Sequence, residues 1–291
     1  MARAYPGLPP TFLEEAASIA RRIRRRLRER RCRALTRAEP IDAGRTLVTV
    51  RETTPMLIDP SDEGLSRSLV ADGYWEMWLT EALEAVLKPG MVAIDIGANL
   101  GYFSLLMAER VGASGRVHAF EPNPIMADLL VESAARSGLA DRISLHRDPL
   151  WDLDGEASVL RVPDGEPKNA HLITHAGDEI EGIRMISRRL DGFGDLLDAD
   201  VIKIDVEGAE ERIWRGMAGL FGRGRPLTIF LEFSPVRYED PMAFLEDIMA
   251  QGFTLGELSV SYGIRATTAE RILAGAADED RMLALRRAAQ A

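Results

Sequence analysis

Val92-Ala-Ile-Asp-Ile-Gly-Ala-Asn-Leu-Gly-Tyr-Phe103 decides the fold, because an apolar run passes without interruption into a glycine loop. Residues 92 to 96 are β-branched or apolar around one charge, Asp95, as in a central parallel strand covered on both faces. Gly97 and Gly101 supply the tight turn and let a ligand approach the backbone, and the apolar residues from Leu105 continue as a helix whose free N–H groups point back at the loop. The loop reads G-x-N-x-G, not G-x-G-x-x-G, which disfavours a pyrophosphate. Asp95 and Asn99 suit instead a ligand that carries amine or hydroxyl groups.

Two further segments follow the same logic. Arg116-Val-His-Ala-Phe120 is a short strand ending at Glu121-Pro-Asn-Pro124, so Glu121 falls at a strand end about 20 positions beyond the glycine loop, where it can accept from both hydroxyls of a ribose. Val201 to Ile204 then form a strand that delivers Asp205 and Glu207 to the ligand-binding edge of an open α/β sheet.

In this order the segments resemble the FkbM-type family of S-adenosylmethionine-dependent methyltransferases. The resemblance is carried by Ile94-Asp-Ile-Gly-Ala-Asn-Leu-Gly-Tyr-Phe-Ser104, Ala119-Phe-Glu-Pro-Asn-Pro124, Ile202-Lys-Ile-Asp-Val-Glu-Gly-Ala-Glu210 and Leu231-Glu-Phe-Ser-Pro235, over roughly residues 72 to 257. It implies an α/β, Rossmann-like class I methyltransferase fold, with a mostly parallel seven-stranded sheet and helices on both faces. It also implies S-adenosylmethionine as methyl donor and a hydroxyl acceptor on a small molecule, a sugar or glycan, or a lipid. On these motifs Asp95, Gly97, Asn99, Gly101, Tyr102, Phe103, Glu121 and Asn123 form the cofactor set. Asp148 and Leu150, in the loop after the strand Arg142 to His146, join it at the adenine. An alternative is a local turn in which Asp148 bonds its own backbone ahead of Pro149.

An aliphatic hydroxyl is a poor nucleophile, so a base must take its proton. Asp205 and Glu207 are the leading candidates, at alternate positions of a strand end. Glu207 has a competing role as a carboxylate at the start of the next helix. His171 is a second candidate base, with His175 beside it, because histidine titrates near neutrality. Glu232 is placed to bind the acceptor, or a divalent cation together with Asp205, but no metal is expected.

Composition narrows the field. A net charge of −10 and a pI near 5.1 disfavour a general nucleic-acid binder. The lone Cys32 excludes an internal disulfide framework. Neither a leader-like apolar segment nor a run of about 18 apolar residues occurs, so a cytoplasmic protein is expected. A nicotinamide dehydrogenase is disfavoured by the loop spacing. A nucleic-acid N-methyltransferase is disfavoured by Asp205-Val-Glu-Gly208, which stands where an Asn/Asp-Pro-Pro-aromatic turn would be needed. The remaining alternatives are another N-methyltransferase or a non-catalytic cofactor-binding module.

The expected organisation is a helical arm (1–40), a β-hairpin subdomain (41–71) built on Thr46 to Val50 and Met56 to Ile58, the core (72–263), and a strand or helix tail (264–291). An insertion at 152–190, with strands near Gly155 to Val162 and His171 to Thr174, is expected to shape the acceptor pocket. In the arm, nine arginines face one acid, Glu29, between Arg21 and Arg33. Phe12, Ala16, Ile19, Ile23 and Leu27 recur at spacings of four, three, four and four, an amphipathic helix over 11–35. Its apolar stripe is expected to pack on the main domain or on a second subunit, or the helix to lie on an anionic membrane. If the arm serves a membrane-borne acceptor, deleting residues 1–40 is expected to abolish liposome association while leaving cofactor affinity intact.

Overall fold

A computed structural model describes residues 12–163, 171–174, 181–261 and 263–289. The chain runs α1 (Phe12–Leu35), β1 (Ala38–Asp42), β2 (Arg45–Val50), β3 (Thr54–Ile58), α2 (Leu65–Asp72), α3 (Met77–Val86), β4 (Val92–Ile96), α4 (Tyr102–Val111), β5 (Arg116–Phe120), α5 (Pro124–Arg136) and β6 (Ile143–His146). Then come β7 (Ala157–Arg161), β8 (His171–Thr174), β9 (Ile183–Ile186), β10 (Val201–Ile204), α6 (Glu210–Arg215), α7 (Ala218–Phe221) and β11 (Leu227–Phe233). The chain closes with α8 (Pro241–Ala250), β12 (Gly256–Ser259), β13 (Gly263–Ala266), α9 (Ala269–Leu273) and β14 (Arg281–Arg287).

The central sheet has the order β13-β12-β14-β11-β10-β4-β5-β6. From β11 to β6 neighbouring strands pair in parallel, whereas β14 is antiparallel to both β11 and β12. This is the expected mostly parallel α/β sheet with one strand more than the seven anticipated, because β13 hairpins onto the edge of β12. Connections from β4 lead first to β5 and β6 on one side, then back to β10 and β11 on the other. The crevice beyond the carboxyl ends of β4 and β10 is therefore the topological switch point, where open α/β sheets bind ligands.

Each face of the sheet buries its own apolar layer. Leu79 and Leu83 of α3, with Leu105 and Met107 of α4, pack on one side together with Val48, Met56 and Leu57. The hairpin region is thus no separate body but part of this layer, and Leu57 N–H also donates to Ser133 Oγ of α5. It has a third strand not expected from the sequence: β1, which straddles the expected boundary between arm (1–40) and hairpin (41–71), pairs with β2. On the other face Trp214, Phe221, Phe244, Ile248 and Ile272 form the second layer. The insertion is a sheet of order β8-β7-β9, tied back where Leu150 bridges Arg188. The tail contains both a helix, α9, and a final strand, β14, which lies inside the central sheet.

α1 spans the predicted range with the opposite orientation. Ser18, Arg25 and Cys32, seven residues apart, are its buried line, while Ile19, Ile23 and Leu27 are 50, 53 and 58% exposed. These three do not pack on the domain because the arginine side does. Arg25 donates to Glu81 (2.8 Å), and Arg28 makes a two-pronged bond to Glu84 (2.5 and 2.6 Å) on α3. Arg31 and Arg33 reach Glu52 and Asp72. Among the described residues no helix is long and apolar enough to cross a membrane.

Candidate active site

A cavity of about 260 Å³ opens at the switch point. Its walls include Gly97, Asn99, Tyr102 and Phe103 from the β4 loop and α4, Phe120 and Glu121 from β5, and Asp148 and Leu150 from the loop after β6. Asp205, Glu207 and Glu232 come from the ends of β10 and β11, and Leu160 from the insertion.

The glycine loop is fixed by backbone geometry. Gly97 has φ +76°, and a Cβ there would meet Asp205 O at 1.9 Å, so two strand ends can approach only without a side chain. Gly101 has φ +95°, and a Cβ there would strike Leu130 Cγ at 2.7 Å. Asn99, itself at φ +51°, donates its N–H to Glu121 Oε2 (2.7 Å), while Asn123 N–H donates to Glu121 Oε1 (2.8 Å). Among the described residues, three of the five non-glycine residues with positive φ, Glu76, Asn99 and Glu207, lie on the cavity wall, where strained backbone is expected to concentrate.

Glu121 is 7% exposed. Burial pushes its carboxyl up to about 7 against the two backbone bonds that favour the charge. Each of its oxygens accepts one N–H and keeps a lone pair for a further donor, which is what a ribose diol requires. Phe120, Pro122, Pro149 and Leu150 give the neighbouring wall an apolar surface suited to a flat base, and Asp148 stands at its rim, 3.9 Å from Arg188. The residues present therefore fit an adenosyl group.

Three expected cofactor residues, Asp95, Gly101 and Asn123, do not line the cavity. Asp95 is fully buried, accepts from Ser104 Oγ (2.7 Å) and lies opposite Lys203 in the β4–β10 register, with Nζ 3.5 Å away. Its task is to hold the loop's foundation rather than a ligand amine. Asn123 caps α5, accepting from Ile125 N–H, with Pro124 in the first helical turn. Gly101 also shapes the loop from behind the wall. His171 lies on β8, opposite Arg161, and His175 falls outside the described residues.

The acceptor side is a carboxylate cluster organised by two cations that the sequence reading overlooked. Lys203 Nζ lies 3.2 Å from Asp205 and 3.4 Å from Gly97 O. Burial works against its charge, but Asp205 and Asp95 outweigh that and hold the ammonium above its usual range. Arg237 clamps Glu232 (2.7 Å) and Glu207 (2.9 Å), and reaches Asp280 at 3.4 Å. Glu207 is not the cap of α6, whose N-cap is Ala209; Glu210, in the first turn, instead ties down the preceding loop by accepting from Val206 and Gly208 N–H, and receives the Tyr238 hydroxyl at 3.2 Å. Burial, then the nearby Asp205 charge, pushes Glu232 up to about 8 despite Arg237. Burial also raises Glu207. Lys203 had a signal in the sequence, a lone cation in an apolar strand run; Arg237 had none, being assembled by tertiary contacts.

Sheet order and cavity define a Rossmann-like α/β protein with its ligand site at the topological switch point. Residues 95–255 match the methyltransferase FkbM domain, and the chain belongs to that family. It is 28% identical over 164 residues to the 31-O-demethyl-FK506 methyltransferase FkbM of Streptomyces tacrolimicus, covering 45% of this chain and 61% of that protein. It is 31% identical over 105 residues to a protein-L-isoaspartate O-methyltransferase of Hyperthermus butylicus, covering 34% and 40%. The chain thus spans about half the length of these relatives. A solved S-adenosylmethionine-dependent O-methyltransferase from Thermotoga maritima aligns at 14% identity with a TM-score of 0.41, over 86% of this chain and 96% of that one.

Proposed function

We propose that the chain methylates a hydroxyl oxygen of a small-molecule, glycan or lipid acceptor. Glu121 holds the ribose of S-adenosylmethionine, Asn99 and the Gly97 loop its amino-acid end, and Phe120, Asp148 and Leu150 its adenine. The cofactor supplies an electrophilic methyl group on sulfur. The chain's own work is to orient the acceptor and remove its proton. Asp205, beside Lys203, accepts a hydrogen bond from a neighbouring donor of the acceptor and so leaves the reacting hydroxyl directed at Glu232, which supplies much of the rate by positioning. Glu232, with its proton affinity raised towards neutrality, takes the proton. Glu207 shares Arg237 with Glu232 and balances its charge.

The observation that carries this reading is the meeting of Asp205, Glu207 and Glu232 on the wall of the cavity that Glu121 also lines. The same acidic wall would also suit a protonated amine, so N-methylation is the second reading. Incubation with methyl-labelled S-adenosylmethionine and a panel of polyols, glycosides and amines, with products resolved by mass spectrometry, tests it. Label in a methoxy group supports oxygen transfer. Label on nitrogen alone, or cofactor binding with no turnover of any acceptor, removes it.

A further inference from the structure

We propose that α1 is a membrane-surface helix that seats the protein on an anionic lipid bilayer through Ile19, Ile23 and Leu27 and the arginines beside them. An amphipathic helix on a soluble domain ordinarily buries its apolar stripe and leaves its charges in water. Here Arg25 and Arg28 are spent on Glu81 and Glu84 of α3, and the large aliphatic side chains are left outside. Taking a guanidinium out of water is costly without a good partner, so the glutamates of α3 fix this orientation specifically.

The outward face has a consistent chemistry. Ile19, Ile23 and Leu27 recur every four residues along about 12 Å of axis. At 100° per residue, Arg22 and Arg26 lie along one edge of this stripe, Arg24 along the other, and Arg30 continues its line. All four are exposed, and among the described residues none forms an ion pair with them. Across Phe12–Leu35 nine arginines stand against three glutamates in a chain whose net charge is −10. Aliphatic side chains flanked by free guanidiniums match a headgroup region, where the apolar groups enter the acyl boundary and the arginines meet phosphates. A second copy fits less well. Three side chains fall far short of the roughly 1,200 Å² of a stable interface, and a facing α1 would bring arginines against arginines.

Truncating the arm is a poor probe, since it would strip Glu81 and Glu84 of buried partners. The full chain should instead be sedimented with vesicles of phosphatidylcholine alone and of phosphatidylcholine with phosphatidylserine. The protein is expected to pellet only with the anionic vesicles and to be released by salt. The Ile23→Glu/Leu27→Glu variant should stay in the supernatant with an unchanged thermal midpoint, because both positions are exposed. Arg22→Gln, Arg24→Gln and Arg26→Gln should each weaken binding about fivefold. Failure of the wild type to pellet with anionic vesicles at low salt overturns the proposal, as does undiminished pelleting of the double glutamate variant. So does a vesicle-free assembly, seen by sedimentation velocity, that this variant dissolves, for the stripe would then belong to a second copy. Methyl transfer is not a readout in any arm.

Discussion

The backbone N–H of Asn99 donates to Glu121 Oε2 across 2.7 Å, so the loop after β4 is hung on the carboxylate at the end of β5. One residue therefore sets the loop's shape and, in the function proposed above, the place for a ribose. Glu121→Gln can still accept one N–H, but it turns a donor towards the other and loses the charge. Bonds to charged groups contribute about 1.5–3 kcal/mol each, so S-adenosylmethionine affinity should fall roughly 10- to 100-fold by calorimetry. Burial holds the carboxyl near about 7, above its ordinary value. Ribose hydroxyls need the ionised form, so affinity should climb as pH rises through 7 and then level, a dependence absent from the variant. In the ligand-free protein the sign is reversed. The folded-state value is raised, so this group's stabilisation is present in acid and fades as pH rises to about 7. Equal affinity for wild type and variant at all pH values would remove Glu121 from the ribose.

Glu232 makes a separable prediction. Its carboxyl, raised to about 8 by burial and by Asp205, is largely protonated at neutrality, and only the ionised form can take a proton. The turnover rate should therefore rise with pH through about 8. Glu232→Gln should lower kcat by about 10²–10⁴-fold with little change in cofactor affinity, and should abolish that limb of the profile. Retention of the limb in the variant would assign it to another group.

Much of this arrangement was written locally. β4, β5, β10 and β11 are apolar runs that end in glycine, proline or acid, and such runs announce buried parallel strands without tertiary help. β1 (Ala-Glu-Pro-Ile-Asp) is exposed along its length, and β9 is mostly so; their pattern carries no buried face to read. The orientation of α1 was hidden for a different reason. The stripe of Ile19, Ile23 and Leu27 does form the expected periodic face, but which face turns inward was decided by Glu81 and Glu84, more than 50 residues away. Within the site, Asp95 and Asn123 belong to the motifs yet serve the scaffold, since motif spacing does not distinguish a residue that touches the ligand from one that holds the residue that does.

Gly97 is the sharpest steric test. Alanine there would place Cβ 1.9 Å from Asp205 O in a backbone region that disfavours side chains. Either β4 and β10 separate at their ends or the loop changes conformation, at a cost of about 1–3 kcal/mol for the strain alone. Gly97→Ala should lower the thermal midpoint and abolish cofactor binding together. Gly138→Ala is the control: its φ is also positive, but nothing lies within 4 Å of its Cβ, so it should lose stability while keeping affinity.

Lys203 links the scaffold to the chemistry. Its ammonium is buried between Asp95, which is fully buried, and Asp205, which faces the cavity. Lys203→Met preserves the length and apolar stem of the side chain but leaves Asp95 with only Ser104, and removing one partner of a buried ion pair costs about 3–5 kcal/mol. The stranded Asp95 escapes part of that cost by taking up a proton, so the variant should regain stability as pH falls, in a direction opposite to ordinary acid unfolding. The double variant Lys203→Met/Asp95→Asn removes the charge as well and should recover much of the lost stability. Chemical denaturation of both proteins between neutral and mildly acidic pH measures this. If the double variant is no more stable than the single one, the charge on Asp95 is not what Lys203 serves, and the lysine acts on Asp205 alone.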